Sequence, residues 1–138
     1  MTHQYTYPVR FAHCDPAGFA YFPRLLEILD GAVEDFMTDV TGADRAQTHL
    51  RERLGIPTID LKVEFTHPCR LGELITFEIV PVKLGRTSLT FHTAVTVEGA
   101  PRFSVQQTVV QMDFETSRPH PWTDVTRALP VFAAVAEG

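Results

Sequence analysis

Asp15 is the carboxylate in this chain best placed for acyl chemistry. It lies in His13-Cys14-Asp15-Pro16-Ala17-Gly18-Phe19-Ala20-Tyr21-Phe22-Pro23, a tight Asp-Pro-Ala-Gly turn ahead of a long amphipathic helix. The first backbone N–H groups of a helix lack intrahelical acceptors, and the helix dipole makes that end attractive to negative charge. A carboxylate beside such donors can attack an activated acyl carbon, or assist water in doing so, while an amide holds the developing oxyanion. The same residues have a plainer reading. Asp before Pro at the opening of a helical turn is also what an N-cap followed by proline at the first helical position looks like.

Other side chains with chemical potential give weaker signals. Histidines 3, 13, 49, 67, 92 and 120 show no paired ligand spacing of the kind zinc requires, so no metal is expected. A cationic His13 close to Asp15 would favour its carboxylate form, although neighbours at i and i+2 in a turn need not touch. Cys14 reads as a small apolar filler, because a reactive thiol needs an electropositive setting. Phe19 and Tyr21 are candidates to line an aromatic pocket, with core packing the commoner fate of such residues.

The elements that must position Asp15 can be read from periodicity. Residues 4–12 alternate loosely and predict a first strand, with Pro8 suggesting a sheet edge. From Pro23 to Val40, Leu25, Leu29, Ala32, Phe36 and Val40 recur at helical spacing, and Leu26, Ile28, Val33 and Met37 widen the apolar stripe. A shorter helical piece is predicted over residues 44–54, stopped by Gly55 and Pro57.

The period then changes to two. Ile59, Leu61, Val63 and Phe65 alternate with polar residues over residues 58–66, the clearest strand in the chain. Ile75, Phe77 and Ile79 begin a further strand, whose phase shifts near Val80-Pro81-Val82 and predicts a bulge or edge there. Leu89 to Val97 alternates again, and Gly99-Ala100-Pro101 is read as closing a hairpin. In the last strand, residues 102–114, apolar residues lie first on one face (Phe103, Val105) and then on the other (Val110, Met112, Phe114), as two-sided burial against a partner subunit would produce. The tail is proline-rich, then weakly helical over residues 124–136.

Composition bounds what such a chain can do. A length of 138 residues suits one domain, and a chain of that size buries roughly 68–70% of the surface it exposes unfolded. A formal net charge of -5 argues against a general nucleic-acid binder, which would show a basic stripe. Local arginines can still hold the phosphates of a small molecule. Two cysteines give no disulfide framework, the first residues lack a signal-peptide pattern, and no segment approaches the ~20 apolar residues of a membrane span. The expectation is a cytoplasmic protein without membrane partners. Strands grouped apart from one long helix imply an α+β fold, in which the sheet must curl around the helix to share one core.

The run HCDPAGFAYFP, followed by a helix and four strands, resembles the hotdog-fold acyl-CoA thioesterases, most closely the Pseudomonas-type 4-hydroxybenzoyl-CoA thioesterase group. The likeness in element order covers residues 5–115. The likeness in motif is concentrated in residues 11–30, with a weaker echo at Gly85-Arg86-Thr87-Ser88-Leu89. The resemblance implies a five-stranded antiparallel sheet wrapped around one long central helix, as one domain over residues 1–138. It implies hydrolysis of an aryl- or acyl-CoA thioester to free acid and CoA, with Asp15 as nucleophile or general base. The backbone N–H of Phe22 then polarises the thioester carbonyl, Asp30 receives a substrate ring hydroxyl, and Arg86, Thr87 and Ser88 hold the CoA phosphates. No cofactor is implied beyond the CoA of the substrate, and the assembly is a homodimer or homotetramer.

Two departures from the family pattern stand out. His13 replaces a frequent acidic residue. Phe22 replaces the histidine of the short-chain branch, which tilts the reading toward aryl or bulkier acyl groups.

On residue chemistry alone Asp30 also reads as a solvated helix carboxylate near Glu27 and Glu34. Arg86 and Ser88 also read as a solvated strand start, with Arg70, Lys83 and Arg102 as further candidate cations. Glu34 or Asp35 is an alternative mid-helix nucleophile. A hotdog-fold hydratase would need a histidine paired with an acid near the helix, and residues 23–40 contain none. A non-catalytic acyl-CoA binding module is the remaining alternative.

Overall fold

In the computed structural model, which describes residues 3–137, five strands make one antiparallel sheet. They are β1 (His3–Pro8), β3 (Thr58–Phe65), β4 (Leu74–Leu84), β5 (Ser88–Val97) and β6 (Ala100–Val110), in the order β1-β4-β5-β6-β3. Residues 1, 2 and 138, the ends of the expected domain, lie outside the described residues. Alternation dictates the buried face. Ile75, Phe77 and Ile79 of β4, Leu89, Phe91, Val95 and Val97 of β5, and Phe103, Val105 and Val109 of β6 all point into the core. The phase break expected at residues 80–82 is a bulge between Pro81 and Lys83.

Helix α1 (Phe22–Thr41) closes that face with Leu25, Leu29, Ala32, Val33 and Phe36, all buried. Each large apolar side chain so buried contributes about 1.5–3 kcal/mol. The helix ends at Gly42, whose left-handed φ of 76° is cheap only for glycine. Two hydroxyls tie α1 to the edge strand β1: Tyr5 donates to Asp39 at 2.8 Å and Tyr7 donates to Asp35. The C-terminal segment adds the short helices α2 (Asp124–Arg127) and α3 (Pro130–Ala133), and Phe132 meets Phe36 edge-on.

Several local expectations are corrected. The first strand stops at Pro8. Arg10 N–H donates to His13 Nδ1 and His13 N–H to Arg10 O, which winds Phe11–His13 into a 3-10 turn. The second helical piece is a π-helical segment, Ala46–Arg51, followed by a short strand, β2 (Leu54–Gly55). Gly55 is not a helix stop. A Cβ there would lie 2.2 Å from the Phe114 ring, so the glycine permits close packing.

The hairpin turn is Glu98-Gly99, both at positive φ, with Ala100 and Pro101 already in β6. Within a single copy of the chain the last strand buries one face. Phe103, Val105, Gln107 and Val109 keep one buried face, and the chain then leaves to pair β7 (Met112–Asp113) with β2 and β8 (Arg118–Pro119). Finally, β3 alternates as expected, but only Val63 of its apolar side chains packs on the core: Ile59, Leu61 and Phe65 are 63%, 42% and 47% exposed on the outermost strand.

Candidate active site

The Asp15 turn is a small self-bonded loop. Cys14 and Ala20 bridge as an antiparallel pair, Asp15 N–H donates to Phe19 O, and Gly18 N–H returns to Asp15 O. Gly18 has a φ of 84°, the left-handed conformation this turn needs and glycine supplies. Asp15 is exposed. Its Oδ1 accepts the Ala17 N–H at 2.9 Å, and its Oδ2 has no partner among the described residues. Asp15 therefore does not cap α1. Residues 16–21 separate the two, and the N-cap is Tyr21, whose side chain makes no capping bond.

The first turn of α1 has one available donor. Arg24 N–H and Leu25 N–H both go to Tyr21 O, and Pro23 has no N–H. This leaves Phe22 N–H without an acceptor among the described residues. The exposed Tyr21 and Phe22 rings lie 5.8 Å apart. Phe22 meets Phe65, Phe65 meets Phe103, and Phe103 meets Phe77, an aromatic path from this mouth into the core. Phe19 is covered by the Arg70 guanidinium at 4.9 Å.

Asp30 is not free. Arg45 grips it with two bonds of 2.9 and 3.1 Å and lies 3.5 Å from Glu34, which holds the Arg45 guanidinium firmly charged. Asp30 and Arg45 line a cavity of about 300 Å³ with His49, Ile56, Thr58 and Phe114. Arg45, His49 and Ile56 also line a second, more enclosed cavity of about 220 Å³, reaching Met37, Leu54 and Trp122. Asp15, Tyr21 and Phe22 line neither cavity.

The alternative acids on α1 are engaged as well. Glu34 faces Arg45, and Asp35 accepts from Tyr7. Burial, with Asp39 beside Tyr5 and Asp35 beside Tyr7, pushes both hydroxyls well above the usual phenol range.

The segment 86–88 is clamped through its backbone. Trp122 N–H donates to Arg86 O, Trp122 Nε1–H to Ser88 O, and Gln111 N–H to Thr87 O. The Arg86 side chain is exposed and shares a cavity of about 320 Å³ with Arg127, Trp122 and Glu137. No hydrogen bond, ion pair or shared cavity joins this segment to Asp15 or Asp30 among the described residues. Lys83 lies 3.6 Å from Glu137, and Arg102 is fully occupied. Among the described residues no group of three or more His, Cys, Asp or Glu gathers to hold a metal, and no helix is long and apolar enough to cross a membrane.

One pairing near the turn went unread in the sequence. The Arg102 guanidinium makes two bonds to Glu73, 2.7 and 2.8 Å, and a third to Pro68 O. It holds the Glu73 carboxyl below the usual carboxylate range, while burial pushes the nearby Cys69 thiol up. Nothing local announces a pair so distant in sequence.

A family model described as the thioesterase-like superfamily matches residues 9–129. A 1,4-dihydroxy-2-naphthoyl-CoA hydrolase from Thermosynechococcus vestitus is 29% identical over 104 residues, covering 75% of this chain and 70% of that protein. Among solved structures, a gentisyl-coenzyme A thioesterase superposes with a TM-score of 0.82 at 19% identity, covering 91% of this chain and 99% of the other. A thioesterase-superfamily protein from Jannaschia sp. CCS1 superposes with a TM-score of 0.87 at 22% identity, covering 99% and 94%.

Proposed function

The chain belongs to the thioesterase-like superfamily and has its hotdog fold, and we propose that it hydrolyses an acyl-CoA thioester, with a hydroxylated aryl group favoured as the acyl part. One observation carries the reading. Among the described residues the Asp15 turn leaves a carboxylate oxygen without a partner, and the first residue of the helix that follows it, Phe22, leaves its N–H without an acceptor. Asp15 Oδ2 attacks the thioester carbon, and the carbonyl electrons move onto oxygen, where Phe22 N–H stabilises them. The C–S bond then breaks, CoA leaves as thiolate, and water cleaves the mixed anhydride to free acid and Asp15 carboxylate. If Asp15 acts instead as general base, it takes the proton of the attacking water. Either route needs no strong acid, because a thiolate leaves readily.

The substrate class draws support from the relatives. The hydrolase from Thermosynechococcus vestitus is named for a dihydroxynaphthoyl thioester, and one structural neighbour is named for a gentisyl thioester. 4-Hydroxybenzoyl-CoA is the simplest member of that chemistry and fits the resemblance of the HCDPAGFAYFP run. In this reading the Asp30–Arg45 pair meets the ring hydroxyl, Phe19 and Tyr21 flank the acyl group, and exposed Arg86, with Thr87 and Ser88, meets the CoA phosphates. A second copy of the chain, paired along the exposed apolar β3, supplies the missing wall of the cleft, giving a homodimer or a homotetramer built from it. Two free cysteines suit a reducing cytoplasm.

A panel of CoA thioesters with free-thiol detection tests the activity. Release of CoA from hydroxybenzoyl-CoA, faster than from acetyl-CoA, is expected. Stoichiometric binding without turnover across the panel, or hydration of an enoyl-CoA, would contradict it.

A further inference from the structure

Cys14 and Ala20 pack the ends of the Asp15 turn against the core, and between them its position depends on what its backbone touches. On its far side every backbone contact lands on one short segment. Ala20 N–H donates to Cys69 O at 2.8 Å, Leu71 N–H donates to Gly18 O at 3.0 Å, and Phe19 bridges Arg70, whose guanidinium also covers the Phe19 ring. That segment is itself a loop, fastened to Val9 by the Gly72 N–H and the Glu73 carbonyl and gripped from the sheet by one carboxylate. Glu73 Oε1 accepts the Arg70 N–H at 2.6 Å while both Glu73 oxygens accept from Arg102. Arg102 comes from β6, which is paired on both sides within the sheet, and its Nη1 also donates to Pro68 O at 2.7 Å.

We infer that Glu73 and Arg102 are a positioning pair for the Asp15 turn, linking the rigid sheet through Pro68–Leu71 to the attacking carboxylate. The inference rests on the reading of Asp15 given above. A charged pair with side chains only 16% and 21% exposed is a poor way to gain stability, since apolar side chains of similar size would serve as well. Its geometry is what apolar residues could not reproduce. The planar guanidinium reaches two carboxylate oxygens and a backbone carbonyl at once, and the carboxylate still accepts an amide N–H. Lysine, a compact charge on a flexible stem, has no planar fork to hold its donors on both carboxylate oxygens and the carbonyl in this geometry.

The test compares Arg102→Lys, Arg102→Met and Glu73→Gln with wild type. Each is assayed on 4-hydroxybenzoyl-CoA well below its own melting temperature, with amide hydrogen exchange followed at Ala20 and Leu71. Both Arg102 variants are expected to lose about 10²-fold in kcat, the scale of a misplacement of order 1 Å. KM should stay close to wild type, exchange at Ala20 and Leu71 should quicken, and lysine should not rescue. If the Arg102 variants do not fold, Glu73→Gln carries the test, with the same signs expected. Folded variants with wild-type kcat and wild-type protection at both amides would overturn the inference. Asp15→Ala separates the two readings. If that variant turns over normally, the attacking role of Asp15 fails, and exchange at Ala20 and Leu71 still decides whether the pair positions the turn.

Discussion

The Asp30 carboxylate meets both terminal nitrogens of Arg45, at 2.9 and 3.1 Å, on the rim of a cavity beside α1. An ion pair whose carboxylate side chain is 64% exposed adds at most about 1 kcal/mol to stability, and in the proposed function the fork is what meets the ligand. Arg45 fixes the Asp30 carboxylate in place, and under the proposed function its remaining lone pairs accept from a substrate hydroxyl.

Asp30→Asn is accordingly expected to lower kcat/KM for 4-hydroxybenzoyl-CoA about tenfold relative to benzoyl-CoA, equivalent to ~1.4 kcal/mol of discrimination. Folding stability should change little. An unchanged ratio between the two substrates would restrict the pair to a structural role.

Phe22 permits an unusual separation of backbone from side chain. It is the first residue of α1, where proline is well tolerated because the N–H has no helical partner, and Tyr21 before it already has the extended backbone that precedes proline. Phe22→Pro should therefore remove the N–H and leave the helix in place. Loss of one oxyanion donor costs about 2.7–4 kcal/mol, or 10²–10³ in kcat. Phe22→Ala, which keeps the N–H, should lose far less. Equal losses in the two variants would assign the effect to the ring.

Much of this architecture was legible because it is periodic. The stripe from Leu25 to Val40 gives α1 almost to the residue, since a 3.6-residue repeat over five turns has no competing reading. Alternation found β3, but an outermost strand whose apolar side chains stay largely exposed shows the same pattern as one facing a core, so its exposure was not legible. Gln107, buried on the apolar face of β6, interrupts its alternation with a polar side chain. The Asp15 turn was legible because a turn is local, whereas the Phe22 amide was picked out only through the resemblance of the motif. The grip of Arg45 on Asp30, and of Arg102 on Glu73, could not be read, because both are made by folding.

The Glu73 carboxyl is held below its ordinary value of 4.5, chiefly by its bonds to Arg102. A lowered folded-state pKa means that the unfolded chain binds more protons in the acid range. The stabilisation is thus complete above the ordinary carboxylate value and is lost as pH falls through the depressed one. Thermal melts from about pH 5 downward should show this loss in wild type. Arg102→Met should show a shallower acid limb, and parallel limbs would assign the acid sensitivity to other carboxylates.

On β3 an apolar edge strand faces solvent, a surface that isolated chains rarely leave uncovered. Leu61→Glu should shift the protein toward monomer in sedimentation velocity and reduce turnover along with assembly. A wild-type chain that sediments as an active monomer would remove the second copy from the account.

The central claim concerns one oxygen atom, and Asp15→Asn tests it most directly. The amide keeps a carbonyl oxygen for the Ala17 N–H, so the turn should hold its shape while the nucleophile is lost. Single-turnover release of CoA from 4-hydroxybenzoyl-CoA is expected to fall by at least about 10²-fold, the minimum for losing an acting base or nucleophile. Substrate binding should persist. Turnover by Asp15→Asn at the wild-type rate would contradict the account.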